Sequence, residues 1–437
     1  ASIDTDGPAT AAAWRRLIEL DPTDVEAWNG LAYVHLVYGW QFGGGEPELI
    51  QISDRALALD STYPPALFRR AQLSPTLDDT ADTRVQVERL RAVEGNSPVL
   101  RGAREGLEAL LATDDEFPPM IGRLAERPAP ERVIVVRLLA AYRPDRALAF
   151  VRRLKGVAAP GFDTNLAANA EAALLASVGR FQEVDSLRAV GDYRSVPFLA
   201  DAVDWRTLAH AMIGLEDSAT TQAALARITE ATPRDSAVAW TGTARPVWLT
   251  SWLLAGYHAT LGEEGVAKKW LVTMAGFPRQ GSPIEWAAAE RADVEGRLAA
   301  RAGGADGATA AIEQAMRLWT VHTENSRDFD PEPTFRFRLA ESVRDRGLVD
   351  SAAAIFRSLI PPTTWLAGIT TRSLFELGLI EERKGNRPRA LRYFDHALQY
   401  WELGGPEVAN WAELARDGVG RSATEGRVTR RGGMFRR

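Results

Sequence analysis

The sequence predicts an all-α fold, an α-solenoid of stacked antiparallel helical hairpins. Three observations carry this: apolar residues recur at spacings of three and four over runs of helical length, pairs of such runs meet at glycine, and the pair recurs along the chain. The 437 residues are 46% hydrophobic and 25% charged, which excludes disorder and supplies a large interior. No run of about 18 apolar residues occurs, so a membrane-spanning helix is not expected. With no Cys, disulfides, thiolate metal sites and a Cys nucleophile are excluded.

Residues 1–8 read as a lead or cap, in which Asp4-Thr-Asp-Gly7 opens like a calcium loop but lacks its later ligands and serves more simply as a helix cap. The solenoid proper is expected over 9–425. Within 9–60, Trp14 to Asp21-Pro22 closes one helix. Trp28, Leu31 and Ala32 then lead to Gly39, a Gly-rich insertion at Gln41 to Pro47, and a second run ending at Asp60. Segments 61–160 and 191–245 fit the pattern poorly. Between them, Asn165 to Val190 turns at Gly179-Arg180-Phe181. In 246–276, Leu254, Ala255 and Gly262 precede Ala267 and Leu271. In 332–402 the pattern appears twice, with turn glycines Gly347 and Gly385. In the second of these copies Ala390, Phe394, Ala397 and Leu398 line one face, and Gly378 and Ala390 are small where helices cross closely. Such a hairpin cannot bury its own face and needs neighbours.

These residues resemble the tetratricopeptide repeat: a large residue, Leu-Gly or Leu-Ala, a Gly turn, then Ala, an aromatic, Ala and a closing Pro. The resemblance implies a superhelix whose first helices line a concave groove. Carried over position by position, it places Asn29, Tyr33, Trp252, Arg338, Glu341, Arg344, Arg372, Phe375 and Arg383 in that groove. Glu26 and Tyr33 stand where the chaperone-binding members need a basic residue or Asn, which disfavours that use. Phrases such as Arg55 to Asp60 and Gly179 to Glu183 are similar to repeat regions attached to bacterial Ser/Thr kinases and transcriptional regulators, although no kinase motif is present.

Little in the chain suggests catalysis. Five His are scattered, without metal-ligand spacing, and His35 and His258 read as packed, hydrogen-bonded rings. The loops Phe42 to Glu46 and Gly303 to Thr309 lack the Lys-Ser/Thr of a phosphate loop. No nucleophile elbow occurs. Asp114-Asp115-Glu116 reads as a loop or helix start, against a cation or basic-partner contact. Six Trp with Tyr257 cluster between Trp240 and Trp319, either as core filling or as a recognition surface.

The expectation is a non-enzymatic interaction scaffold or assembly subunit, without a cofactor, that binds a protein or a second copy of itself. The alternative is a ligand-sensing regulatory domain of a bacterial signalling protein. The net charge of −6 argues against nucleic acid except through the tail 426–437, where Arg427, Arg430, Arg431, Arg436 and Arg437 stand without an acid. That tail reads as a solvated arm or as a contact for an acidic partner. The start at Ala1, with no signal-peptide pattern, reads as a processed product or a fragment. The chain is expected to be soluble, and the lack of Cys fits a cytoplasmic or an extracytoplasmic setting.

Overall fold

In the computed structural model the described residues are 7–38, 46–74, 80–157, 162–187, 197–215, 218–231, 247–276, 284–319, 332–360 and 367–432. Among them are 22 α-helices, one 3-10 turn (Pro406–Val408) and no strand, so the fold is all-α. The contacts divide the chain into two units, Ala1–Leu174 and Leu175–Arg437.

The first unit opens with α1 (Gly7–Leu20), α2 (Val25–Tyr38), α3 (Glu46–Leu59), α4 (Pro64–Leu73) and α5 (Thr80–Val93). Side-chain caps set the early boundaries. After α1 the Asp21 carboxylate accepts from the Thr23 N–H and hydroxyl, and Asp60 repeats both bonds with Thr62 after α3. Asp24 then caps α2 through the amides of Glu26 and Ala27. Next come α6 (Pro98–Leu111), α7 (Phe117–Ala125), α8 (Ala129–Tyr142), α9 (Pro144–Val157) and α10 (Phe162–Ser177). Most consecutive helices pair, while α4, α6 and α8 also pack in series, as the first helices of successive hairpins must. The α6–α8 crossing is close because Gly102 and Gly106 lie one turn apart: a Cβ on Gly106 would fall 2.6 Å from Leu138. Regular helices thus occupy the span 61–160. Its repeat was hidden because prolines at helix starts and the single linking residue Arg143 mark most of its boundaries, with a left-handed glycine only at Gly95 between α5 and α6 among its described residues.

In the second unit glycine sets the grammar. After α10 come α11 (Phe181–Leu187), α12 (Pro197–Ala211), α13 (Ser218–Ala231), α14 (Val247–Leu261), α15 (Glu264–Gly276), α16 (Ile284–Arg301) and α17 (Ala305–Trp319). The unit ends with α18 (Glu332–Asp345), α19 (Val349–Arg357), α20 (Ala367–Arg383), α21 (Arg387–Trp401) and α22 (Ala409–Gly432). Each of α10, α12, α14, α16, α18 and α20 is followed by a glycine at φ between 75° and 83°, namely Gly179, Gly214, Gly262, Gly303, Gly347 and Gly385. At each, two backward amide bonds close the helix, as in Leu215 N–H to His210 O and Gly214 N–H to Ala211 O. A side chain at this left-handed turn would be strained, so glycine both stops the first helix and starts the return. The segment 191–245 therefore contains a hairpin of the same design in its described part, turned at Gly214. The Gly-rich stretch at Gly303 is another such turn.

The close contact expected at Gly378 and a second one, at Gly418, meet on one ring. Phe394 on α21 is fully buried between Gly378 of α20 and Gly418 of α22, whose added Cβ atoms would lie 2.6 and 2.7 Å from it. The ring also stands against Phe375, with centroids 5.7 Å apart. A Gly378→Val substitution is expected to force this ring out of place and to lower stability by about 1–3 kcal/mol. Urea unfolding with unchanged m-value would show the loss, and an unchanged midpoint would contradict the packing described.

Candidate functional site

The second unit does not keep its contacts between neighbouring hairpins. The turn Met212 to Leu215 faces helices far along the chain, and its carbonyls are matched one by one. Met212 O lies 3.5 Å from Arg297 Nη1 of α16, Ile213 O accepts from Arg372 Nε of α20 at 3.3 Å, and Gly214 O accepts from Trp411 Nε1 of α22 at 3.0 Å. A Cβ on Gly368 would collide with His210, and one on Gly179 would collide with Val408. The first hairpins of this unit thus close against its last ones.

Around that closure lies a buried charged network, built from one face of each first helix. On α16, Glu290, Asp293 and Arg297 recur at i, i+3 and i+7 and are buried, while Arg291 and Glu295 pair in solvent at 2.9 Å. The spacing is a stripe on one helix face, visible in the sequence only once its charges are read as inward rather than solvated. Asp293 Oδ2 accepts from Arg297 Nε at 2.9 Å and from Trp252 Nε1 at 3.0 Å. Arg297 also donates to Thr260 Oγ1 at 3.2 Å. On α18, Arg338 donates to Glu341 at 2.6 Å, and Arg344 bonds Glu376 of α20. Arg372 bonds Glu376 at 3.2 Å, stands 4.0 Å from Glu341, and lies 3.8 Å over the Trp411 ring. Burial pushes the Glu341 carboxyl up, but Arg338, Arg372 and Arg344 outweigh it and hold it below its ordinary value. For Glu290 burial acts unopposed, and Asp293 adds to it, so its carboxyl is raised well above 4.5.

Of the residues expected in a groove, the fold brings Arg338, Glu341, Arg344 and Arg372 together in this network. It withdraws three from solvent: Trp252, Phe375 and Arg372 are buried, because the closed interior needs rings for packing and guanidinium for its carbonyls. Trp252 and Phe375 therefore serve the interior and present no open surface. Arg383 is exposed at the end of α20. Arg427, Arg430 and Arg431 fall within α22, so the tail begins inside a helix, while Arg436 and Arg437 lie outside the described residues. Of the Trp cluster, Trp270 is buried like Trp252. Trp240 and the side chains of Trp248, Trp286 and Trp319 lie outside the described set.

Asn29 and Tyr33 lie on α2 in the first unit, facing Arg69 of α4. Arg69 Nη1 donates to Asn29 O at 3.3 Å, and its guanidinium stands 5.5 Å from the centre of the Tyr33 ring, which is 41% exposed. Burial draws the Arg69 pKa down to about 10, and Tyr33 and Tyr63 are the groups that oppose the shift. Among the described residues no carboxylate pairs with Arg69. Its neighbour Arg70, by contrast, holds Asp82 through two nitrogens at 2.7 and 2.9 Å and Asp54 at 2.9 Å.

Other candidates resolve into structure. His35 is buried beside Arg15 at 3.2 Å, and His258 meets Glu263 at 2.6 Å. Asp114 pairs with Arg146 at 3.0 Å, and Glu116 accepts from the Thr113 amide. Among the described residues no three His, Asp or Glu side chains converge on a metal position, and no helix is long and apolar enough to cross a membrane.

No family model matches the chain, and no curated protein matches it. Among solved structures it is similar to the APC/C hetero-tetramer Cut9-Hcn1, with 13% identity over 94% of this chain and 92% of that chain and a TM-score of 0.32. It is similar to yeast Tom70, with 14% identity over 95% and 92% and a TM-score of 0.32. A third is Naa15/Naa10 bound to HypK-THB, with 11% identity over 95% and 76% and a TM-score of 0.24.

His210 makes the closure pH-sensitive. The ring is fully buried, with Nδ1 2.8 Å from the Arg206 carbonyl, and burial pulls its pKa from 6.5 down to about 4 against that bond. The unfolded chain takes up the proton near 6.5 and the folded chain only near 4, so this stability is complete above 6.5 and is lost as pH falls through that window. The loss amounts to about 3 kcal/mol. Urea midpoints should fall between about pH 7 and about pH 5, and His210→Gln should flatten that limb. An equal slope in the variant would place the pH dependence elsewhere.

Proposed function

We propose that the chain is a non-catalytic protein-interaction scaffold whose docking face is the α2–α4 side of the first unit, and that this face receives an acidic segment of a partner protein. The observation that carries the reading is Arg69. Its guanidinium is half-buried and has no carboxylate partner among the described residues, and it sits beside the exposed ring of Tyr33. A half-buried guanidinium without a carboxylate is under-compensated, and a carboxylate arriving from outside would add charge-assisted hydrogen bonds of about 1.5–3 kcal/mol. Tyr33 adds a flat amphipathic surface of the kind that concentrates binding energy. Stacked hairpins present such side chains on rigid helices, which suits recognition by contact rather than chemistry.

The test is fluorescence anisotropy of labelled peptides against the full chain, comparing an acidic series with its lysine-substituted counterpart. Acidic peptides should bind, weaken with added salt, and lose about 10- to 100-fold in affinity with Arg69→Ala. Tyr33→Ala should weaken them less. Equal binding of acidic and basic peptides, or no effect of Arg69→Ala in a normally folded protein, would overturn the reading.

A further inference from the structure

The first helix of the first unit leaves an apolar face exposed. α1 packs inward through Gly7, Ala11, Trp14 and Ile18; Ala11 is fully buried, and a Cβ on Gly30 of α2 would fall 2.5 Å from the Trp14 ring. Its opposite side carries Ala9, Ala12, Ala13, Leu17 and Leu20, all exposed, with Leu17 at 45% and Leu20 at 68%. Ala9, Ala13, Leu17 and Leu20 follow one another at spacings of four, four and three, which places them in one stripe along the helix. A single exposed leucine is ordinary in a folded protein. Here two share a stripe with alanines, in a helical array whose outermost faces are normally polar to keep it soluble. Packing on α2 uses the inward side of α1, so the outer stripe adds nothing to that contact.

The stripe has a charged border with a pattern of its own. Arg16 and Glu19 stand along one side of it, joined at 2.8 Å, with side chains 68% and 63% exposed. At that exposure the pair contributes little within its own helix, and exchanging it for an equivalent pair costs little. A two-fold axis beside Leu17 makes this border self-complementary. When the helix is laid antiparallel on a second copy, Arg16 faces Glu19 of the second copy, and Glu19 faces its Arg16. In the same register Leu17 meets Leu17 of the second copy across the axis, and Leu20 lies over Ala13 of the second copy, large against small. A uniformly acidic or basic partner would match one member of the charged pair and repel the other, whereas a second copy matches both.

We propose that this face of α1 is a self-association surface, on which two copies of the chain join as a two-fold, antiparallel helix pair. The interface is isologous: each copy gives and receives the same contacts, so association through it stops at two. One helix crossing buries less than the roughly 800 Å² per partner of a standard interface, so the dimer is weak and forms as concentration rises. None of Asn29, Tyr33 and Arg69 lies in α1, so the dimer and the acidic-segment reading of the α2–α4 face stand or fall separately.

The experiment is sedimentation equilibrium of the full chain over a micromolar-to-millimolar concentration series. The expected result is a monomer–dimer equilibrium. Leu20→Asp should weaken it about ten-fold or more, because it sets a charge against the apolar stripe. Arg16→Glu, which opposes Glu to Glu across the axis, and Glu19→Arg, which opposes Arg to Arg, should each weaken it by a similar factor. Mixed in equal amounts, these two charge variants should associate with each other about as tightly as the unaltered chain does with itself, since each then meets the opposite charge at both positions. All three substituted side chains are exposed, and an unchanged helical spectrum verifies that each variant folds. A chain that stays monomeric throughout the series would overturn the proposal. So would a dimer indifferent to Arg16→Glu and Glu19→Arg, or a mixture of those two variants that fails to associate.

Discussion

Three peptide carbonyls in one turn hold the second unit in its form. Met212, Ile213 and Gly214 end a helix, where carbonyls lose their partners within the helix. Two guanidinium groups and one indole from α16, α20 and α22 take up those carbonyls, from 85, 159 and 197 residues further along the chain. A helical-repeat array normally gains stability from nearest neighbours alone and can open from either end. Here the early turn and the last helices are bonded to each other, so the hairpins between them are enclosed. Contacts of such long sequence separation make folding of this unit slower than its local helices imply, since closure entropy precedes the reward.

Closure dictates what the inner face can contain. Bringing first helices together removes their inward side chains from water, and apolar residues at those positions would complete an ordinary core. Trp252, Phe335, Phe337 and Phe375 do this. The turn carbonyls, however, require donors, and arginine donors placed in the interior require carboxylates. Arg372 thus brings Glu376, and Arg297 brings Asp293. Each pair is offset by burial cost, so such pairs contribute more to fixing the geometry than to net stability. In the first unit the same rule operates at two adjacent residues with opposite outcomes. Arg70 is buried and matched by Asp82 and Asp54, whereas Arg69 is turned toward Tyr33 with no acid among the described residues.

The fold class was legible in the sequence because glycine turns are local. Gly179, Gly262, Gly347 and Gly385 mark the ends of first helices, and the small residue Gly378 meets Phe394 as the spacing implied. Gly214 escaped notice because Ala-His-Ala-Met-Ile before it has no alternation of polar residues: α12 is buried on nearly every described side, which erases the helical stripe. In 61–160 proline starts replaced the glycine signal. The groove residues fell where helix position put them, but position within a repeat cannot report that a distant turn occupies the face. That is why Arg338, Glu341 and Arg344 kept access to solvent while Arg372 lost it. The charged stretch from Glu290 to Arg297 reads as surface for the same reason, since inward and outward charges share one composition.

Completed and uncompleted groups stand side by side in this chain. Asp293 shows it within one carboxylate: Oδ2 accepts from Trp252 and Arg297 and is thereby fixed, while Oδ1 has no bond. A group with all its bonds made in the fold has nothing left to offer a ligand. A group with none has no fixed direction. The informative side chains are those held by one atom and unmatched at another, because the first bond aims the second. Asp293, Arg297, Arg338 and Arg372 all meet that condition through partners that are themselves buried or paired. In the other unit Arg69 is held by the Asn29 carbonyl. Helical hairpins supply the rigid helices on which these half-completed side chains stand.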